Sequence, residues 1–300
     1  MRTVYLGTSE FAAAVLGRLA GSPHRPALVV TPPDRPRGRG RQSGSPPAAE
    51  QAGELGLELL QSADVNEQAA LARIRAAEPE AIAVCAFGQL IREPLLSEWP
   101  LLNVHPSLLP RWRGAAPIER AMMAGDATTG VSIMRVTEGL DSGPVALREE
   151  IAIDPEDDFA TLSERLAALG GELLVRALDL QAQSGLGFDE QDDEQATYAE
   201  KVESAERRLD PGRPATELAR RVRALTPHVG AYLDLGEDRL GVRRARAVDV
   251  SVRQGELKSE WGALLLGCCR GALRLEVVQP PGGKPMLADA YLRGHPVPSL

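Results

Sequence analysis

Asn103-Val104-His105 is the triplet in this chain best suited to chemistry. On an extended strand residues i and i+2 point to one face, so the Asn103 amide and the His105 ring project together. Directly after them runs Pro106-Ser107-Leu108-Leu109-Pro110-Arg111-Trp112-Arg113-Gly114, a loop that two prolines stiffen and a glycine releases, as a preformed pocket requires. Downstream, Glu138-Gly139-Leu140-Asp141-Ser142-Gly143 is a glycine-flanked turn carrying one carboxylate at Asp141. An Asn, a His and an Asp on neighbouring strand ends could form one site: an amide donor, an imidazole acid or base, and a carboxylate that orients the ring. Taken singly, each has an ordinary explanation as a core histidine bonded to a loop carbonyl or an aspartate capping a turn.

Other chemistries find little footing. Gly7-Thr8-Ser9-Glu10-Phe11 is not a GxGxxG fingerprint, and no GxxxxGK[ST] occurs, so dinucleotide or nucleoside-triphosphate binding is not indicated. Gly7 reads either as a tight strand-to-helix turn or as a backbone approach to substrate at a helix N-terminus. Cys85, Cys268 and Cys269 are too few for a disulfide framework and show no CxxC spacing, so the chain is expected to be metal-free. Cys268 and Cys269 read as strand packing, and His24, His228 and His295 have no partners near them in sequence.

The elements that must position the triplet alternate between strand and helix. Thr3–Leu6, Ala27–Thr31, a strand near Leu60, Ala81–Ala86, Leu101–His105, Thr129–Val136 and Val145–Ile153 read as strands. Helical stretches run over Phe11–Ala20, which Ser9 or Thr8 could cap, over Asn66–Ala77 and over Phe159–Gln183. Fully apolar strands between helices indicate a doubly wound, mostly parallel, Rossmann-like α/β sheet, which binds ligands beyond the carboxyl ends of its strands. After Ser184 the pattern lapses into Ser-Gly-Leu-Gly and an acidic cluster. A helix over Glu217–Ala224 then precedes short alternating runs at Ala231–Leu235, Leu240–Ala247, Gly262–Leu266 and Ala272–Val278, the spacing of a small OB-like β barrel. The expected organisation is a catalytic domain over 1–183, a linker over 184–206 and a C-terminal barrel over 207–300.

Hydrophobic content of 43% and charged content of 25% are those of an ordinary globular chain. No basic leader or membrane-length apolar run appears, so a cytoplasmic location is expected. The net charge of −8 is uneven: residues 1–200 carry −13 and residues 201–300 carry +5. A basic C-terminal third on an acidic chain points to a module that meets a polyanion.

Asn103-Val104-His105, the loop Ser107–Gly114 and Gly139-Leu140-Asp141-Ser142-Gly143 together resemble the site of the 10-formyltetrahydrofolate-dependent formyltransferases. The resemblance extends to Asp34–Gly40 with Ser45-Pro46, to Phe87-Gly88, to Ala115–Ile118 and to Thr197–Lys201, and so covers nearly the whole chain. Within the family it is to the enzymes that act on initiator methionyl-tRNA. It implies that Asn103, His105 and Asp141 are catalytic, that Ser107, Leu108, Leu109 and Pro110 with Phe87 and Gly88 bind the folate, and that 10-formyltetrahydrofolate is the formyl donor. It further implies initiator tRNA as acceptor, no membrane and no obligate protein partner. Departures lie outside the chemistry: Arg41-Gln42-Ser43 stands where relatives often have lysines, and Leu209-Asp210-Pro211 replaces a usual Ile-Asp-Trp.

Asp34–Arg41 holds four arginines and one aspartate within an acidic region. Its Gly and Pro content predicts a mobile loop. It is either a solvated excursion or, as the resemblance implies, an arm on which Arg37, Arg39 and Arg41 meet tRNA phosphates. A sugar-nucleotide N-formyltransferase is the rival enzyme, although an amino sugar needs neither this arm nor a basic barrel. A catalytically silent folate- or RNA-binding protein is the rival from another class.

Overall fold

The computed structural model describes residues 1–37, 42–260 and 262–300. The chain forms two compact units. The first comprises Met1–Gly114, Thr129–Ile151 and Ser163–Tyr198; the second comprises Ala115–Thr128, Ala152–Leu162 and Ala199–Leu300.

In chain order the elements begin with β1 (Thr3–Gly7), α1 (Glu10–Ala20), β2 (Pro26–Thr31), β3 (Arg35–Arg37) and β4 (Gln42–Gly44). They continue through α2 (Pro47–Glu54), β5 (Leu59–Gln61), α3 (Gln68–Ala76), β6 (Ala81–Cys85), α4 (Leu95–Glu98) and β7 (Leu101–His105). Next come β8 (Arg113–Gly114), α5 (Pro117–Ala124), β9 (Thr128–Arg135), β10 (Val145–Ala152) and α6 (Phe159–Gln183). Ser9 caps α1 by accepting the Ala12 N–H at 3.3 Å.

The first unit is built on a sheet in the order β10-β9-β7-β6-β1-β2-β5. From β7 to β5 every pairing is parallel, and β1 and β6 are buried along their whole length. Their runs, TVYLG and AIAVC, carry no charge, as strands covered on both faces must. Val4, Leu6, Leu28, Val30, Ile82 and Leu101 pack into one core with Ile74 of α3, each burial contributing about 1.5–3 kcal/mol. The parallel order ends at β9, which runs antiparallel to β7 and sets Ser132 opposite His105. Burial pushes the Cys85 thiol up to about 12 and raises the neighbouring Tyr5 hydroxyl as well, whose O–H donates to the Ala12 carbonyl at 2.6 Å.

The loop expected to be mobile over Asp34–Arg41 has paired flanks: β3 and β4 form an antiparallel ladder with Arg35 opposite Gly44 and Arg37 opposite Gln42. Arg39 and Arg41 lie outside the described residues. For Arg37 only the backbone is described.

The second unit takes in α5 and, after β11 (Tyr198–Ala199, shared with the end of the first), α7 (Ala215–Leu225), β12 (Ala231–Leu235), β13 (Asp238–Val248) and β14 (Leu257–Glu260). It closes with β15 (Ala263–Gly267), β16 (Ala272–Gln279), β17 (Met286–Leu287) and α8 (Ala288–Gly294). Its antiparallel sheet runs β12-β13-β16-β15-β14, with β17 on β16. Register shifts around Arg244 break the β13–β16 ladder, and such bulges bend a strand, so the sheet curls as an OB-like half-barrel. Leu218, Val222 and Leu225 of α7 fill its concave side against Leu240, Val242, Leu264 and Leu273. Arg244 and Arg246 point away from that core and share the Glu276 carboxylate at 2.9 and 3.1 Å. Only Cys268 packs as expected; Cys269 is exposed.

Candidate active site

β6 and β7 lie side by side in parallel, so the loops after Cys85 and after His105 leave the same edge of the sheet. Strand alternation places Asn103 half-buried and His105 buried at 4% exposure. The two rise from one face, as i and i+2 residues must. Among the described residues the Asn103 carboxamide takes no hydrogen bond. His105 is held from both sides. Its Nε2 lies 2.9 Å from the Trp112 carbonyl oxygen, which can only accept, so Nε2 carries a hydrogen. Its Nδ1 faces Asp141 Oδ2 at 3.6 Å. The same Oδ2 accepts the Gly114 N–H at 2.9 Å. The bond to a loop carbonyl, the ordinary explanation of this histidine, is thus present, and the Asp141 carboxylate stands beside the ring as well.

The loop after β7 is fixed by its own side chains. Ser107 and Leu109 are wholly buried, Ser107 donating to the Arg111 carbonyl at 2.6 Å and Leu109 packing on Met134 and Val145. Ser132 reaches across from β9, donating to the Ser107 carbonyl at 2.7 Å and accepting the Leu109 N–H at 3.1 Å. Arg148 donates to the Leu109 carbonyl at 2.9 Å. Of Ser107 to Pro110, only the side chains of Leu108 and Pro110 are consequently left half-exposed for a ligand. On the β6 side Phe87 is buried at 3% exposure and belongs to the core, while the exposed Gly88 has open space where a side chain would stand.

Left-handed backbone gathers here. Ala86 (φ 43°), Gly88 (φ 76°), Trp112 (φ 62°), Gly114 (φ 115°) and Asp141 (φ 45°) all lie in these strand-end loops. Non-glycine residues in that region store strain and recur at functional sites. Gly143 meets a different demand: a Cβ there would stand 2.0 Å from the Arg135 carbonyl oxygen.

Ser132 and Gln191 escape the sequence reading altogether, and Arg113 and Thr197 enter it only inside longer motifs with no role of their own. Gln191 donates through Nε2 to the carbonyls of Asp141 and Gly143 at 2.8 and 2.6 Å and accepts Arg113 Nε at 3.0 Å. Thr197 accepts the Trp112 N–H on its hydroxyl at 2.9 Å. Of the remaining histidines, His24 and His228 have partners distant in sequence, and His295 has one four residues away. His24 sits between the Met1 ammonium and Asp179, His228 meets Glu119 and stacks on Phe159, and His295 stacks on Tyr291. No group of three or more potential metal-ligating side chains occurs among the described residues.

Residues 1–178 match the family model described as formyl transferase, and residues 201–296 match that of the formyl transferase C-terminal domain. The chain belongs to the formyl transferase family. A relative from Methylobacillus flagellatus named methionyl-tRNA formyltransferase is 41% identical, over 99% of this chain and 97% of its own. The fold is that of solved formyltransferases and their relatives. HypX from Aquifex aeolicus, solved in complex with tetrahydrofolic acid, matches with a TM-score of 0.66 at 17% identity, over 97% of this chain; this chain spans 47% of HypX. The N-formyltransferase from Helicobacter canadensis, solved with folinic acid and dTDP-3-aminofucose, matches with a TM-score of 0.67 at 10% identity, over 91% of this chain and 98% of that one.

Proposed function

We propose that this formyltransferase moves the formyl group of 10-formyltetrahydrofolate to the amino group of methionine on initiator methionyl-tRNA. The carrying observation is the 41% identity along 99% of the chain to a methionyl-tRNA formyltransferase. The sugar-nucleotide alternative has support only in fold, at 10% identity.

When bound, the folate supplies an activated formyl carbon. The side chains of Leu108 and Pro110, with the open backbone of Gly88 beside Phe87, would hold it, and the exposed Gly88 with no neighbour at its Cβ position fits a ligand seated there. The chain's own residues supply the rest. The Asn103 carboxamide, free of other bonds, donates to the formyl oxygen as negative charge grows on it. His105, with Nε2 fixed on Trp112, presents Nδ1 to carry a proton at the reacting centre. Asp141 faces that nitrogen, stabilises the imidazolium and aids removal of the amine's proton. Fixed donors of this kind contribute roughly 100- to 1000-fold each to turnover.

In this reading residues 1–183 perform the chemistry with the stretch 189–197 holding their loops, and 207–300 bind tRNA together with Arg37, Arg39 and Arg41. Acting on charged tRNA, the enzyme works in the cytoplasm; no helix among the described residues is long and apolar enough to cross a membrane. The test is incubation with 10-formyltetrahydrofolate and either charged initiator tRNA or UDP-4-amino-arabinose. Formylation of the tRNA is expected; formylation of the amino sugar alone sinks the proposal.

A further inference from the structure

We propose that Gln191 is a positioning residue for the Asp141 turn, and that the stretch from Asp189 to Thr197 straps together the two loops that hold His105. Its kinetic arm rests on the formyl-transfer reading; its structural arm rests on geometry alone.

Asp141 adopts φ 45°, a left-handed conformation that aspartate visits more readily than most residues, and then as a single residue in a turn. The Gln191 amide fixes that turn. Its two Nε2 hydrogens span the turn, one to the Asp141 carbonyl at 2.8 Å and one to the Gly143 carbonyl at 2.6 Å. Its Oε1 is occupied by Arg113 Nε at 3.0 Å, which fixes which end of the amide faces the turn. Arg113 is itself buried at 3% exposure, with Nη2 on Asp193 at 2.8 Å.

Arg113 also sits between the two groups that matter most. Trp112 before it holds His105 Nε2, and Gly114 after it holds Asp141 Oδ2. The same stretch grips this loop again: Thr197 takes the Trp112 N–H at 2.9 Å on its hydroxyl and the Arg113 N–H at 2.8 Å on its carbonyl. At its other end Asp189 and Val145 exchange both backbone bonds, at 2.8 and 2.9 Å. One segment therefore sets the distance between the carbonyl on Nε2 and the carboxylate facing Nδ1. Displacements of about 1 Å at such a site can cost roughly 100-fold in rate.

The experiment has a substrate-free readout and a kinetic one. In Gln191→Ala, amide exchange at Gly114 should accelerate about tenfold or more, while amides of β6 keep their protection. Turnover should fall about 10- to 100-fold with KM for both substrates changed less than about twofold. In an Asp141→Asn background the same substitution should cost less than about twofold more, because the two residues act as one unit. Gln191→Glu keeps the shape and the Arg113 contact but turns both donors into acceptors, so it should reproduce these losses if Gln191→Ala does not fold. Unchanged Gly114 exchange, losses that multiply with Asp141→Asn, or a fall in melting temperature with turnover intact would each overturn the proposal. A wild-type enzyme inactive on charged tRNA, with Gly114 exchange still raised by Gln191→Ala, would refute the formyl-transfer reading and leave the positioning role standing.

Discussion

His105 Nδ1 faces Asp141 Oδ2 at 3.6 Å, and that oxygen is simultaneously held by the Gly114 N–H at 2.9 Å. The carboxylate is thus anchored by backbone and lends its remaining capacity to the ring. A carboxylate so placed orients the imidazole and compensates its charge when protonated. Asp141→Asn keeps an oxygen for Gly114, and asparagine tolerates left-handed backbone. It should lower turnover by orders of magnitude with little change in melting temperature. Asp141→Ala adds the backbone strain and the lost Gly114 bond, so it should also destabilise by about 1–3 kcal/mol. Equal stability of the two variants in urea titration would contradict this account.

Gly143 and Gly88 separate close approach from backbone freedom. Gly143→Ala would place a methyl 2.0 Å from the Arg135 carbonyl, so the catalytic turn has to move. Activity should be lost with at least about 3 kcal/mol of stability, more than the strain of an unfavourable φ alone. Gly88→Ala meets open space at φ 76° and should cost only about 1–2 kcal/mol. Denaturant midpoints of the two variants decide the matter.

The buried thiols set an alkaline limit. Burial raises Cys85 from 9.0 to about 12. Above pH 9 the unfolded chain releases this proton while the folded chain keeps it, so the unfolded state binds fewer protons and stability falls as pH rises. The stability is fully present below pH 9 and is lost toward pH 12, at about 1.4 kcal/mol per pH unit from this group. Cys268, raised to about 11, adds a smaller share. Melting temperature should decline from pH 9 upward, and Cys85→Ala should flatten part of the decline. In the native state near pH 8, iodoacetamide should label the exposed Cys269 and spare Cys85.

Binding of tRNA should weaken linearly in log–log terms with salt, because arginines displace counterions from phosphates. Arg39→Ala should reduce that slope by about one and depress formylation while folate binding stays intact. A filter-binding series at several salt concentrations, alongside folate titration, distinguishes this from a residue that only faces solvent.

The placing of Asn103 and His105 on one strand end was legible because its signals are local. Alternation on Leu101–His105 fixes the face, and the prolines and glycines after it announce a loop. The same locality made β1, β6 and α6 readable within a residue or two. Other features depend on partners far away in the chain. Ser107 and Leu109 stand in a motif implied to touch folate, yet the Ser107 hydroxyl donates to the Arg111 carbonyl and Leu109 packs on Met134 of β9. Gln191 lies in an acidic, glycine-rich stretch whose composition says only that the regular pattern has lapsed. Its role comes from bonds spanning fifty residues to Asp141. α5, β14 and β17 are too short to show a period, and the hairpin of β3 and β4 hides in an arginine-rich run.

The tie between Gln191 and Asp141 has a consequence for synthesis on the ribosome. Translation delivers the chain from its N-terminus, so Asn103, His105 and Asp141 all emerge well before the residue that closes the turn around them. A nascent chain can form the parallel strands and bury Ile82 and Leu101 while its catalytic turn is still open. The bonds from Gln191 to the Asp141 turn can form only after the stretch beyond α6 has left the exit tunnel.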